Sequence, residues 1–189
     1  MARKIGIYAG SFNPITNGHM DLIARARLLV DHLLIVVAYN AAKPTEPFTV
    51  AERVELIARS MHDGGNGRLE GGRDGDSGSW QVEALSGTLL VDYARKLGAR
   101  YMFRGMRAAS DFDYEFNLHG INHKLAPDVE MVYLMASPDL LYVSSSMVRE
   151  IAQNGGKVRD FVPRPVEIAL RKKYPTSAAK ARMATRKKD

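Results

Sequence analysis

The chain has 189 residues, enough for one domain with a proper core, and its 46% hydrophobic and 25% charged content is that of an ordinary globular protein. The net charge of +6 suggests a nucleic-acid binder, yet residues 171–189 hold eight Lys or Arg against one Asp, leaving 19 basic and 20 acidic groups in the other 170 residues. A neutral body with a basic tail argues against nucleic acid as the partner of the folded part, and the absence of cysteine excludes disulfides, thiolate catalysis and cysteine metal sites.

No apolar run approaches the roughly 18 to 20 residues of a membrane span, and the first strand begins within about four residues of the N-terminus, leaving no room for a signal peptide. A cytoplasmic protein with no membrane partner is expected. Ile5 to Ala9 reads as a buried strand, and Met20 to Val30 has apolar residues at helical spacing (Leu22, Ile23, Ala26, Leu29, Val30). Between them stands G-S-F-N-P-I-T-N-G-H, from Gly10 to His19. Such a Gly-, Asn- and Pro-bearing loop between a first strand and a first helix is where open α/β folds bind phosphate, because free N–H groups and the positive helix end meet there. His19 adds a side-chain donor for the same anion, although a histidine at a helix start can equally be a cap.

His32 to Tyr39 is a continuous apolar run, typical of a strand buried on both faces. A loop with Lys43, Pro44 and Pro47 comes next; Thr49 and Glu52 then have capping-box spacing before a helix to about His62. Residues 63–79, rich in Gly and Asp, read as a flexible surface loop whose acidic groups would repel phosphate. Trp80 to Leu85 is a strand, Thr88 to Leu97 a helix stopped by Gly98, and Arg100 to Arg104 the next strand, ending in R-G-M-R. A helix from Asp111 to Leu125 is closed by Pro127, and Val129 to Met135 is a further strand. Ser144, Ser145 and Ser146 open a helix through Ala152, and Pro163 and Pro165 introduce a last helix to about Lys173. Strands alternating with helices imply a single Rossmann-like α/β domain over residues 1–174: a doubly wound five-stranded parallel sheet, covered on both faces, with a basic tail over 175–189.

Ligands of such folds sit beyond the carboxyl ends of the strands. Ser11 to His19, Lys43, Arg104 with Arg107, and Ser144 to Ser146 all fall there. Each has a bland alternative: a cap, a solvated lysine, a serine N-cap. Their convergence on one edge suits a polyphosphate ligand.

T-N-G-H at 16–19 resembles the (H/T)-x-G-H motif of nucleotidylyltransferases, and the serines at 144–146 look like their second phosphate-binding element. With Lys43, F-T-V-A-E-R at 48–53 and R-G-M-R-A-A-S-D-F-D-Y-E at 104–115, the chain is similar to phosphopantetheine adenylyltransferases over roughly residues 3–170. The resemblance implies transfer of AMP from ATP to 4′-phosphopantetheine by direct in-line attack, with Mg²⁺ carried mainly by the ATP phosphates and no protein metal site. It also implies a homohexamer. Carried over residue by residue, His19 would stabilise the transition state and Ser11 and Phe12 would border both substrates. Lys43, Leu90 and Arg104 would hold phosphopantetheine. ATP would meet His19, Gly105, Met106, Arg107, Glu115 and the stretch Leu140, Leu141, Tyr142, Val143, Ser144, Ser145 and Ser146.

Three positions depart from the family pattern. Ser11 replaces a common Thr and keeps the hydroxyl. Asn13 stands where Asp is common, so a structural role survives there and an essential carboxylate does not. Leu140 stands where some members have Trp, removing an aromatic surface for adenine. The loop at 63–79 and the tail lie on no motif and are expected to be dispensable for catalysis. A transferase acting on another phosphorylated acceptor, such as nicotinamide mononucleotide, is the enzymatic alternative; a tail-driven RNA- or ligand-binding module is the non-enzymatic one.

Overall fold

The computed structural model describes residues 3–40, 46–62, 70–71 and 77–175. Its elements run β1 (Ile5–Gly10), α1 (Asn17–Arg27), β2 (His32–Ala38), α2 (Val50–Met61), β3 (Glu70–Gly71), β4 (Ser79–Leu85), α3 (Leu90–Lys96), β5 (Tyr101–Met106), α4 (Ala109–Leu125), β6 (Glu130–Met135), a 3₁₀ turn (Pro138–Leu140), α5 (Ser145–Gln153) and α6 (Arg164–Lys173).

The sheet order is β3-β4-β2-β1-β5-β6. The five longer strands are mutually parallel, as expected, and β3 adds a short antiparallel edge through Glu70 and Gly71 opposite Gln81 and Trp80. After β1 the chain builds outward through β2 and β4, then returns to the other side of β1 for β5 and β6. The strand order therefore reverses between β1 and β5, and a crevice opens beyond their carboxyl ends.

Burial on both faces explains the apolar strands. Ile7, Leu34, Val36 and Met102 pack with Val91 and Ala94 of α3 on one side. Tyr8, Leu33, Ile35 and Phe103 pack with α1, α2, α5 and α6 on the other. Ile7, Ile35 and Val36 are fully buried, each contributing about 1.5–3 kcal/mol of transfer free energy.

The local signals act as the sequence predicts at several ends. Thr49 and Glu52 form the reciprocal cap of α2 (Thr49 N–H to Glu52 Oε2, 2.7 Å; Glu52 N–H to Thr49 Oγ1, 3.2 Å), and Glu52 also pairs with Lys173 at 2.8 Å, joining α2 to α6. Gly98 takes φ +67° just after α3, a conformation that favours glycine. Three boundaries differ from the sequence expectation. Helix α1 starts at Asn17, because Thr16 caps it, and stops at Arg27. Strand β5 runs on to Met106, held by its register with β6 up to Met135, so Arg104 is a strand residue and not a loop residue. Of the expected loop 63–79, Glu70–Gly71 form β3 and Ser79 starts β4; residues 63–69 and 72–76 lie outside the described residues, as do Lys43 and the tail from 176.

Candidate active site

The crevice at the strand reversal is a cleft of about 440 Å³, the scale of a small-molecule site. Its floor is the end of β1 (Tyr8 to Gly10) and of β5 (Arg104, Gly105). Its walls are the start of α1 (Thr16, Gly18, His19), the first turns of α4 (Asp111, Tyr114, Glu115) and the stretch leading into α5 (Leu140, Val143, Ser144 to Ser146).

His19 is the third residue of α1, and its two possible roles coincide. The Thr16 hydroxyl receives the His19 N–H at 3.4 Å, while the Thr16 N–H donates to His19 Nδ1 at 3.0 Å, a reciprocal cap with histidine in place of the usual Glu or Gln. A ring nitrogen that accepts carries no proton. In the neutral imidazole the proton must then sit on Nε2, the other nitrogen, as a hydrogen-bond donor. Burial, with a smaller contribution from repulsion by the Arg107 guanidinium, lowers the His19 pKa from 6.5 to about 4. At neutral pH the cleft therefore holds a neutral, tautomer-fixed imidazole that can donate to an oxyanion.

The loop before α1 is held from behind. Phe12 has φ +44°, a left-handed conformation costing a bulky residue about 1–3 kcal/mol. Its ring is buried under Gly10, where a Cβ would stand 3.1 Å from the ring, and lies edge-on to Tyr8 (5.5 Å) and to His19 (5.2 Å). Asn13 donates to the Glu46 carbonyl at 2.7 Å and accepts from the Phe48 N–H at 3.4 Å. Arg149 donates to the Asn13 carbonyl at 2.5 Å, and the Ser145 hydroxyl to the Pro14 carbonyl at 2.7 Å, so the start of α5 is fastened to the same loop. The structural role expected for Asn13 is thus filled by its amide.

Two arginine–carboxylate pairs tune the opposite wall. Arg104 makes a forked contact with buried Glu115 (Nε to Oε2, 2.9 Å; Nη2 to Oε1, 2.5 Å). Burial alone would lower the Arg104 pKa, but Glu115 overrides it and the net shift is upward. Glu115 occupies only part of the five-donor guanidinium, leaving N–H groups for a phosphate. Asp111 accepts from the Arg107 N–H at 3.0 Å and its Nε at 3.3 Å; burial opposes ionisation of Asp111, and these bonds outweigh it and lower its pKa.

The serines divide their work. Ser144 Oγ caps α5 by accepting from the Met147 N–H at 3.2 Å, and Ser146 Oγ accepts from Arg149 at 3.2 Å. With Ser145 already bound to Pro14, the first N–H groups of α5 remain as its anion donors.

Among the sequence candidates, the cleft gathers His19, Arg104, Gly105, Arg107, Glu115, Leu140, Val143 and Ser144 to Ser146. Ser11, Phe12, Met106, Leu141 and Tyr142 do not line it: Phe12 lies beneath His19, and Ser11, Leu141 and Tyr142 are exposed. Leu90 opens α3 after β4 and is not part of the lining. The candidates did not include Thr16, Tyr8, Asp111, Tyr114 or Arg149. Period-two alternation with Gly6 and Gly10 in β1 flags Tyr8, and the four-residue spacing from Arg107 flags Asp111. Tyr8 is raised above the ordinary tyrosine range by burial, against the pull of Arg104 and Arg107, so its hydroxyl stays protonated.

A profile of the cytidylyltransferase-like family matches residues 7–151. The phosphopantetheine adenylyltransferase of Syntrophus aciditrophicus is 42% identical over 173 residues, covering 92% of this chain and 96% of its own. That of Alkaliphilus metalliredigens is 43% identical over 170 residues, covering 90% and 99%. Among solved structures, the Plasmodium falciparum nicotinic acid mononucleotide adenylyltransferase complexed with NaAD superposes with TM-score 0.60 at 16% identity, covering 94% of this chain and 98% of that one. The bifunctional NMN adenylyltransferase/ADP ribose pyrophosphatase of Francisella tularensis superposes with TM-score 0.64 at 16% identity, covering 95% and 52%. At these identities the two structures speak for the fold alone.

The depressed His19 pKa couples folding to pH. Between pH 6.5 and about 4 the unfolded chain binds a proton that the folded chain refuses, so this contribution to stability is intact above the window and is lost as pH falls through it. Glutamine at this position keeps a capping side chain but cannot take the proton. Urea titrations of His19→Gln are expected to show a smaller loss of unfolding free energy than the wild type between pH 7 and about pH 5; an equal loss would place the acid sensitivity elsewhere.

Proposed function

The chain belongs to the phosphopantetheine adenylyltransferases, within the cytidylyltransferase-like family, and we propose that it works by direct in-line displacement in the cleft between β1 and β5. It transfers the AMP moiety of ATP to 4′-phosphopantetheine, giving dephospho-coenzyme A and pyrophosphate. The observation that carries the proposed mechanism is the His19 cap, which leaves a neutral Nε2–H donor beside two helix N-termini and two arginines.

Among the described residues, no side chain in the cleft is set up as a nucleophile. The three serine hydroxyls are engaged as caps or ties, the sequence has no cysteine, and the accepting nitrogen of His19 is taken by Thr16. The phosphate of phosphopantetheine is then the attacking group, and the protein contributes position and charge stabilisation. His19 donates to the α-phosphoryl oxygens as negative charge gathers there. The first N–H groups of α5 and Arg107 receive the departing pyrophosphate. Arg104, aimed by Glu115, takes the acceptor's phosphate, with Lys43 and Leu90 as further contacts and Ser11 and Phe12 at the join between substrates. Magnesium enters with ATP as part of the substrate. Among the described residues no group of three His, Cys, Asp or Glu side chains is placed to hold a metal, and both carboxylates of the cleft already bind arginine.

The α4 helix supports a homohexameric assembly. Phe112 and Phe116 stack at 5.7 Å on its outer side and, with Ile121 and Leu125, stay exposed in the single chain, the kind of apolar surface that subunit contacts cover. The cytoplasm is the compartment proposed, because the reaction consumes ATP. Among the described residues no helix is long and apolar enough to cross a membrane.

Purified protein with MgATP and 4′-phosphopantetheine is expected to release pyrophosphate, and far less with nicotinamide mononucleotide; the reverse preference would move the protein to the alternative acceptor. His19→Ala should lower kcat on the order of 10²-fold or more, and a near-normal rate would remove His19 from the chemistry. In sedimentation equilibrium the wild type should run as six copies and Phe116→Glu as smaller species. A monomeric wild type would contradict the assembly.

A further inference from the structure

His19 does not stand on its cap alone. Its ring has a second support in the Phe12 ring, edge-on at 5.2 Å and 79°. That support is itself under tension, since Phe12 holds a left-handed backbone conformation while 1% exposed. Something must keep the turn from relaxing, and the next residue in the chain is placed to do so.

Asn13, 9% exposed, comes immediately after Phe12 and reaches across to the main chain of residues 46–48, donating to one peptide group and accepting from another. That segment is rigid for its own reasons. Phe48 is buried in the core, and the Phe48 carbonyl accepts from Arg53 Nε at 2.8 Å, with Arg53 only 5% exposed. Arg53 also reaches back to the Ser11 carbonyl, at a long 3.4 Å, on the other side of Phe12. The strained residue is thus gripped before and after from the side away from the cleft.

We propose that Asn13 is a positioning residue for the reaction: by tying the turn after Phe12 to the main chain of Glu46 and Phe48, it fixes the ring that seats the imidazole of His19. The amide suits this task because it donates and accepts at once, whereas a carboxylate keeps only the acceptor. Without the tie, Phe12 is free to leave the left-handed region, its ring withdraws, and water reaches the imidazole. His19 then loses both its angle toward the α-phosphoryl group and the dry surroundings that keep it neutral.

The kinetic arm of the test rests on the adenylyl-transfer reading; the titration arm does not, because it tracks the His19 ring by NMR without any substrate. In Asn13→Ala, kcat should fall about tenfold or more while the KM for ATP stays within about threefold. The His19 resonance should titrate at a higher pH than in the wild type, toward the ordinary histidine value. Asn13→Asp, which keeps the acceptor for the Phe48 N–H, should lie between the two in both measurements. Should Asn13→Ala not fold, Phe12→Leu removes the ring edge with the Asn13 bonds in place, and the same two shifts are expected. A folded Asn13→Ala, or in its absence a folded Phe12→Leu, whose His19 titrates as in the wild type would overturn the proposal whatever its kcat. Failure of the wild type to release pyrophosphate would count against the reaction and leave the titration result standing.

Discussion

The reciprocal cap between Thr16 and His19 is the contact on which the site depends. It starts α1 three residues earlier than apolar periodicity indicates, and in doing so consumes one nitrogen of the imidazole. What looks like a choice between a helix cap and a catalytic histidine is a single arrangement. The cap selects the tautomer, and burial with Arg107 nearby keeps that tautomer neutral. A charged imidazolium would be a stronger resting anion binder. A neutral one whose proton faces the reacting group is better suited to charge that appears only in the transition state.

Around this point the cleft is nearly charge-balanced before any ligand arrives. Arg104 is matched by Glu115 and Arg107 by Asp111. Removing one partner of a buried pair such as Arg104–Glu115 leaves an uncompensated charge, worth about 3–5 kcal/mol, so the carboxylates hold the guanidinium groups in place. Binding of ATP and a second phosphate then draws on the spare N–H groups and on the helix ends. Because Ser145 and Arg149 lash the start of α5 to the loop after β1, the two helix N-termini form one rigid concave wall.

Most of the fold is legible in the sequence because its strands are buried on both faces and therefore read as unbroken apolar runs, as from His32 to Ala38. Local chemistry also speaks clearly at Thr49–Glu52 and at Gly98. Legibility fails where tertiary pairing decides. The two residues of β3 sit in a Gly- and Asp-rich stretch with no strand character, and pair only because β4 offers a free edge. The end of β5 is set by its partner β6, which is why Arg104 belongs to the strand. In the site, charged and motif residues announce themselves, whereas Tyr8, Thr16 and Arg149 act through packing or main-chain contacts that leave no compositional trace. The positive φ at Phe12 is the clearest case: nothing in the letters Ser-Phe-Asn-Pro foretells that a phenylalanine occupies a conformation favoured by glycine.

In this mechanism the acceptor phosphate attacks the α-phosphorus directly, and the cleft supplies only position and charge. The stereochemical course at phosphorus tests it most directly, using ATP bearing a single chiral sulfur on the α-phosphoryl group and 4′-phosphopantetheine as acceptor. One in-line displacement predicts inversion of configuration in the dephospho-coenzyme A formed. Retention would require two displacements through an adenylylated side chain, and would contradict a site whose described side chains are all engaged elsewhere.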